Sequence, residues 1–326
     1  MRSFTHFDST SVSEACSALE RYEGRARLNA GGTDLLSVLK GDFLPDYPEA
    51  IINIKTIPGL DYIKEEGDTL RMGALVRLTE IVRSPLLQEK YSILAQAAQT
   101  VATPQIRNVA TLGGNLCQDT RCWYYRYPRN IGGPLSCLRK GQGSCLAVRG
   151  DHRYHAIIGG KKCFAVCPSD LAVALASLDG RIIISGPMGE RSIGVSEFFH
   201  PLGNDLAPNE MVREIEIPVT AASKRQIFLK FTLRKPIDFA IVSVASVTAI
   251  ENGVCTFARL HFGAVAPFPY RAEESEESLI GKPLNEENVH KAAEAALADM
   301  KPLSKNAYKA QIAKTLLKRA LLASVD

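Results

Sequence analysis

Residues 29–34 read Asn-Ala-Gly-Gly-Thr-Asp, and residues 105–116 read Gln-Ile-Arg-Asn-Val-Ala-Thr-Leu-Gly-Gly-Asn-Leu. Each glycine pair follows an apolar, strand-like segment, and a helical pattern opens just after the first. Without a Cβ, glycine lets main-chain N–H groups turn towards a phosphate and approach it closely. A helix starting just beyond adds its positive end. Gly-Gly pairs also make ordinary turns, and neither stretch is a GxGxxG or a Walker loop. From the residues alone, a diphosphate site and a pair of turns both stay open.

Outward from these stretches, short strands and helices alternate. Ser11 to Tyr22 and Thr33 to Leu39 carry helical spacing, while Ala26 to Ala30, Ala50 to Asn53 and Leu70 to Gly73 are strand-like. Thr79 to Arg83 starts another helix, and Leu86 to Val101 reads as one helix ending before Pro104. From Gly113 to Pro168 no period of either kind is visible, as in functional or disordered stretches, and its aromatics and spaced cysteines favour an ordered, ligand-stapled loop. A helix over Leu171 to Leu178 and a strand over Arg181 to Ser185 resume the pattern, and Val219 to Arg225 reads as a link. Beyond it, Gln226 to Arg234, Ile241 to Glu251 and Val254 to Ala264 form an antiparallel meander, with turns at Lys235-Pro236 and Asn252-Gly253. Helices over Glu287 to Ala298 and Lys305 to Ala323 complete the chain. The fold class is α+β, with domains at residues 1–220 and 221–326.

The bulk numbers exclude several classes. The 326 residues suffice for two or three domains with real cores. A net charge of +4 with dispersed basic residues leaves no nucleic-acid footprint. The longest mainly apolar stretch, Phe239 to Ile250, is too short to span a bilayer, and MRSFTHFDST has no apolar leader pattern. The expected compartment is the cytoplasm. Six of the eight cysteines, Cys117, Cys122, Cys137, Cys145, Cys163 and Cys167, crowd into the aperiodic stretch. In a reducing compartment that density favours metal or redox work over disulfides. An iron–sulfur cluster, a zinc ion and a group of buried thiols are all compatible with it. Cys163-Phe-Ala-Val-Cys167 lacks the second matching pair usual in zinc knuckles, and no ferredoxin spacing is present.

The order of motifs adds a more specific signal. AGGTD at 30–34, MGALVRLTEI at 72–81, QIRNVATLGGNL at 105–116, PSDLA at 168–172, IEIP at 215–218 and FLKFTLRKPIDFA at 228–240 occur in that order. The chain resembles the FAD-binding subunit of the xanthine dehydrogenase and carbon monoxide dehydrogenase family, over nearly its whole length. The resemblance implies a two-part FAD-binding domain of the p-cresol methylhydroxylase type, followed by a small antiparallel sheet with helices of the CO dehydrogenase flavoprotein C-terminal type. It implies an FAD pyrophosphate held by Asn29, Ala30, Gly31, Gly32, Thr33, Asp34 and Leu35 and by Thr111, Leu112, Gly113, Gly114 and Asn115. Asp170 is expected at the cofactor's sugar, Val212 near adenine, Lys230 near the isoalloxazine edge and Ala102 against the flavin.

In most of the family PSDL follows GGN within a dozen or so residues, whereas here Asn115 and Pro168 are separated by 52 residues. An insert at this place is similar to that of the β subunit of 4-hydroxybenzoyl-CoA reductase and of periplasmic aldehyde oxidoreductases. The resemblance implies a [4Fe–4S] cluster on Cys122, Cys137, Cys145 and Cys163, with Cys117 and Cys167 left over. The implied complex adds a large subunit with molybdenum cofactor and a small subunit with two [2Fe–2S] clusters, assembled as a dimer of heterotrimers. A ferredoxin-like or NAD(P) partner exchanges electrons with it. No residue of this chain is expected to be catalytic on substrate. The rivals are a stand-alone FAD oxidase of the same fold and a zinc-stapled structural subunit.

Overall fold

The structure is a computed structural model and describes residues 1–235 and 237–325. The chain begins with a parallel three-stranded sheet in which Ala50–Asn53 lies between Thr5–Asp8 and Ala26–Asn29. The helix Val12–Arg21 connects the two outer strands. Ser11 caps it by accepting from the Glu14 N–H, and Ala15, Cys16 and Leu19 form its buried stripe.

The second unit is a five-stranded antiparallel sheet in the order Ile63–Glu66, Thr69–Gly73, Met211–Pro218, Arg181–Gly186, Gly189–Gly194. Its middle strand carries the IEIP motif, with Ile215 and Ile217 fully buried. Helices Leu78–Arg83, Ser92–Gln99 and Asp170–Ser177 share its core. The last of these, Asp-Leu-Ala-Val-Ala-Leu-Ala-Ser, is buried at every residue. A helix apolar all round must be covered on all sides, and a third unit supplies the second cover.

That third unit is a four-stranded antiparallel sheet, Arg225–Phe231, Val242–Glu251, Val254–Gly263 and Tyr270–Arg271, in sequence order as the meander requires. Residues 242–248 are buried on both faces. Ala245 and Val247 join the core of the five-stranded unit, whereas Val242 and Val244 join a core closed by the helix Tyr308–Leu322.

Several expectations are corrected. Leu86 to Val101 is not one helix: Pro85–Lys90 and Ser92–Gln99 are separated at Tyr91, with φ −130° and ψ 46°. The Tyr91 ring is fully buried and its hydroxyl donates to Glu65 at 2.9 Å, which turns the chain out of helical geometry. The second glycine pair does not follow a strand. A single bridge, Arg77 to Thr111, precedes it, and the pair lies inside the five-residue helix Leu112–Leu116. The Asn252-Gly253 turn has positive φ at both residues, as tight hairpins prefer. Of the other proposed turn, Pro236 lies outside the described residues. The strands Thr5–Asp8, Ile63–Glu66 and Gly189–Gly194 and the helix Glu273–Leu279 carry mostly exposed or charged residues and gave no clear period.

Lys309, on the last long helix, is fully buried. Its ammonium donates to the carbonyls of Ala264 and of His155, the latter at 3.0 Å, and so pins residues of the cysteine-rich stretch to the third unit. Burial pushes it down to about 7. From there up to the ordinary lysine range, an unfolded chain binds a proton that the folded chain has released. Stability arising from this residue therefore rises with pH across that window and is flat below it. Lys309→Met is expected to destabilise the chain by about 1–3 kcal/mol by orphaning the carbonyls. In urea melts the wild type should gain on this variant from pH 7 upwards; parallel pH curves would contradict the ionisation.

Candidate functional site: a flavin-sized cleft beside a cysteine cavity

A cleft of about 770 Å³ runs between the first two units. Residues 30–35 line it on one side, and Thr111, Gly113, Gly114 and Asn115 on the other. Ala102, Asp170, Val212 and Lys230 also face it. Of the residues singled out by sequence, Asn29 ends its strand and Leu112 is fully buried, and neither forms part of the lining.

The four glycines are needed for different reasons. A Cβ at Gly31 would lie 2.0 Å from the Val109 carbonyl oxygen, so this glycine lets the two loops press together. Gly32 has φ +69°, the left-handed region. A Cβ at Gly113 would lie 2.9 Å from that of Ala74. At Gly114 it would meet only the Thr111 hydroxyl, which accepts from the Gly114 N–H at 3.2 Å. That Cβ would lie 2.9 Å from the hydroxyl, so a side chain here would also crowd the cap of the helix Leu112–Leu116.

The polar groups of the cleft are fixed by one another. Lys230 donates to Asp170 and to the Thr100 carbonyl, at 2.7 and 2.9 Å, and both charged side chains are almost wholly buried. This pair joins the helix Asp170–Ser177 to the third unit. Ser169 donates to the Asn115 side chain at 2.6 Å, tying the second glycine loop to the same helix. Ala102 holds φ +46°, unusual for alanine, and the buried Arg107 guanidinium clamps the carbonyls of Val101 and Ala102 at 2.9 Å each. Such a locked, sparsely populated conformation in a cleft wall is typical of functional sites. Val212 sits at a bulge in its strand pairing, another device that re-aims side chains.

Sequence reading missed the contribution of the insert to this cleft. Gln118, Asp119, Arg121 and Tyr125 line it. Arg121 stacks on Phe239 at 4.5 Å and pairs with Asp34 at 2.8 Å. Arg126 also pairs with Asp34 at 2.8 Å, and the Asp119 N–H donates to the second Asp34 oxygen at 2.8 Å. The Asp34 carboxylate therefore faces the insert. Two arginines within the insert were the available signal, but nothing in one sequence says which carboxylate they meet.

A second, smaller cavity is lined by Cys122, Cys137, Cys145 and Cys163. Cys117 instead faces the large cleft, and Cys167 is buried in the apolar core of the second unit. None of the cysteines is in a disulfide. Among the described residues, no group of His, Cys, Asp or Glu is gathered tightly enough for a single metal ion. Burial pushes the Cys122 thiol up to about 11. Arg139 and Lys162 also line this cavity, and the Arg139 Nε is buried without a partner. Tyr125 lines both cavities, and its hydroxyl donates to Asp119 at 2.9 Å.

Residues 2–220 match the family described as the FAD binding domain in molybdopterin dehydrogenase, and residues 228–324 match the CO dehydrogenase flavoprotein C-terminal domain. The aldehyde oxidoreductase FAD-binding subunit PaoB of Escherichia coli K12 is 32% identical, with 98% of each chain covered. The carbon monoxide dehydrogenase medium chain of Hydrogenophaga pseudoflava is 30% identical, over 98% of this chain and 96% of that one. A solved carbon monoxide dehydrogenase from Hydrogenophaga pseudoflava, lacking the Mo-pyranopterin moiety of its cofactor, superposes with a TM-score of 0.79 at 29% identity, over 99% and 98% of the two chains. Among the described residues no helix is long and apolar enough to cross a membrane. This chain belongs to the family of FAD-binding subunits of molybdenum hydroxylase-type oxidoreductases, with its two domains in the family's order.

Proposed function

We propose that this chain relays electrons within a molybdenum-containing oxidoreductase, with FAD in the large cleft and a [4Fe–4S] cluster in the cysteine cavity. The observation that carries the reading is the position of Tyr125, a single side chain forming wall to both cavities. Flavin exchanges electrons singly or in pairs and an iron–sulfur cluster exchanges them singly, so adjacent sites make a port between two-electron and one-electron partners.

The residues fit both groups. Gly32 and Gly114 expose backbone to the diphosphate, while Asp170 and Lys230 place a neutralised polar pair in the cleft floor. Four cysteines meet the ligand count of the cluster. The Cys122 thiol must give up its proton as iron enters, and Arg139 and Lys162 offset the thiolate charge that results. The buried Arg139 Nε has a donor to spare for an anionic group.

Substrate chemistry belongs to a large molybdopterin subunit, and a small subunit with two [2Fe–2S] clusters completes a heterotrimer that pairs into a dimer. Arg149, Arg153, Lys161 and Lys162 are exposed within the insert, where they would suit an acidic ferredoxin-like carrier. NAD(P) is the alternative external partner.

Two measurements test the cofactors. Acid precipitation of the wild type should release one FAD per chain. Gly114→Ala should lower that yield severely while the fold persists, and full occupancy in the variant would remove Gly114 from the diphosphate site. Anaerobically prepared complex should contain about four irons beyond the small subunit's share. Serine at Cys122, Cys137, Cys145 or Cys163 should lose them, whereas Cys117→Ser and Cys167→Ala should not. One zinc per chain with no additional iron would overturn the relay reading.

A further inference from the structure

Behind Cys122, outside the cavity lining, stands His155. Its Nε2 lies 3.2 Å from the Cys122 sulfur, and the residue is only 3% exposed. Trp123 packs edge-on against the ring at 5.4 Å, and Tyr124 lies at 6.1 Å. The third unit grips the His155 carbonyl through the Asn306 amide at 3.1 Å and the Lys309 ammonium at 3.0 Å. The imidazole is thus fixed from two sides, and its Nδ1 is buried with no protein partner.

We propose that His155 is a positioning residue for the iron–sulfur cluster, donating its Nε2–H to the Cys122 sulfur and raising the cluster's reduction potential. The inference rests on the reading of the cysteine cavity as a cluster site. A ligating thiolate only accepts, so the 3.2 Å contact requires the proton on Nε2. Donation draws electron density from the sulfur and so favours the reduced cluster, which carries one more negative charge. The clamp from the far domain holds the His155 backbone and so keeps the ring beside the Cys122 sulfur. The domain that contributes no cysteine to the cavity thereby sets the potential of the group inside it.

The test uses the anaerobically purified whole complex. Midpoint potentials of the [4Fe–4S] cluster are measured by EPR-monitored redox titration in wild type, His155→Phe and His155→Gln. His155→Phe keeps an aromatic ring without the donor and should lower the equilibrium constant for one-electron reduction roughly tenfold, a fall of about 59 mV. His155→Gln restores an N–H at similar reach and should return most of the shift. An unchanged midpoint in His155→Phe with full iron overturns this inference alone, whereas wild type without cluster iron overturns the cluster reading and this one with it. Should His155→Phe lose its iron, pulsed EPR of wild type labelled with 15N-histidine decides. A weak coupling to a remote nitrogen supports the hydrogen bond, and no coupling, or the strong coupling of a nitrogen bound to iron, overturns it.

Discussion

The Asp34 carboxylate is the point on which both cavities depend. It belongs to the first glycine loop, yet its two oxygens are taken by Arg121, Arg126 and the Asp119 N–H of the insert. A carboxylate facing two guanidiniums in a partly buried place is costly to leave unmatched on either side. The loop that shapes the flavin cleft and the segment that carries the first cavity cysteine therefore move as one body. Arg121 lines the cleft and Cys122 the second cavity, so adjacent residues of the insert contribute to both walls.

The insert is also the bridge between the domains. Its early part packs Tyr125, Cys137 and Cys122 against Val38, Phe43 and Leu44 of the first unit. Its later part places Ile157 and Ile158 in the core of the third unit, where their N–H groups donate to the Val265 carbonyl at 2.8 and 3.1 Å. Lys309 and Asn306 complete the grip. A long segment without periodicity is ordered here because its buried backbone groups find partners on both domains, as buried backbone must. The buried Asp170–Lys230 pair makes a second tie between the same parts at the floor of the cleft.

What the sequence determined by itself was the inventory. The ordered motifs point to the family, and consecutive strand-like runs with Asn252-Gly253 between the last two point to the meander. Capping and apolar spacing determine the helix Val12–Arg21, and the density of cysteines determines where a second group is to be sought. These are local signals, carried by residues that keep their meaning whatever surrounds them. Only the tertiary structure decided the rest. Tyr91 breaks an apparently continuous helix because a buried ring and a distant Glu65 outweigh local propensity. Gly31 and Gly113 are glycines for the sake of Val109 and Ala74, contacts no spacing reveals. The turning of Asp34 towards the insert and the approach of His155 to Cys122 join residues far apart in the chain. Such pairings are set by how the units pack, and a single sequence carries no record of them.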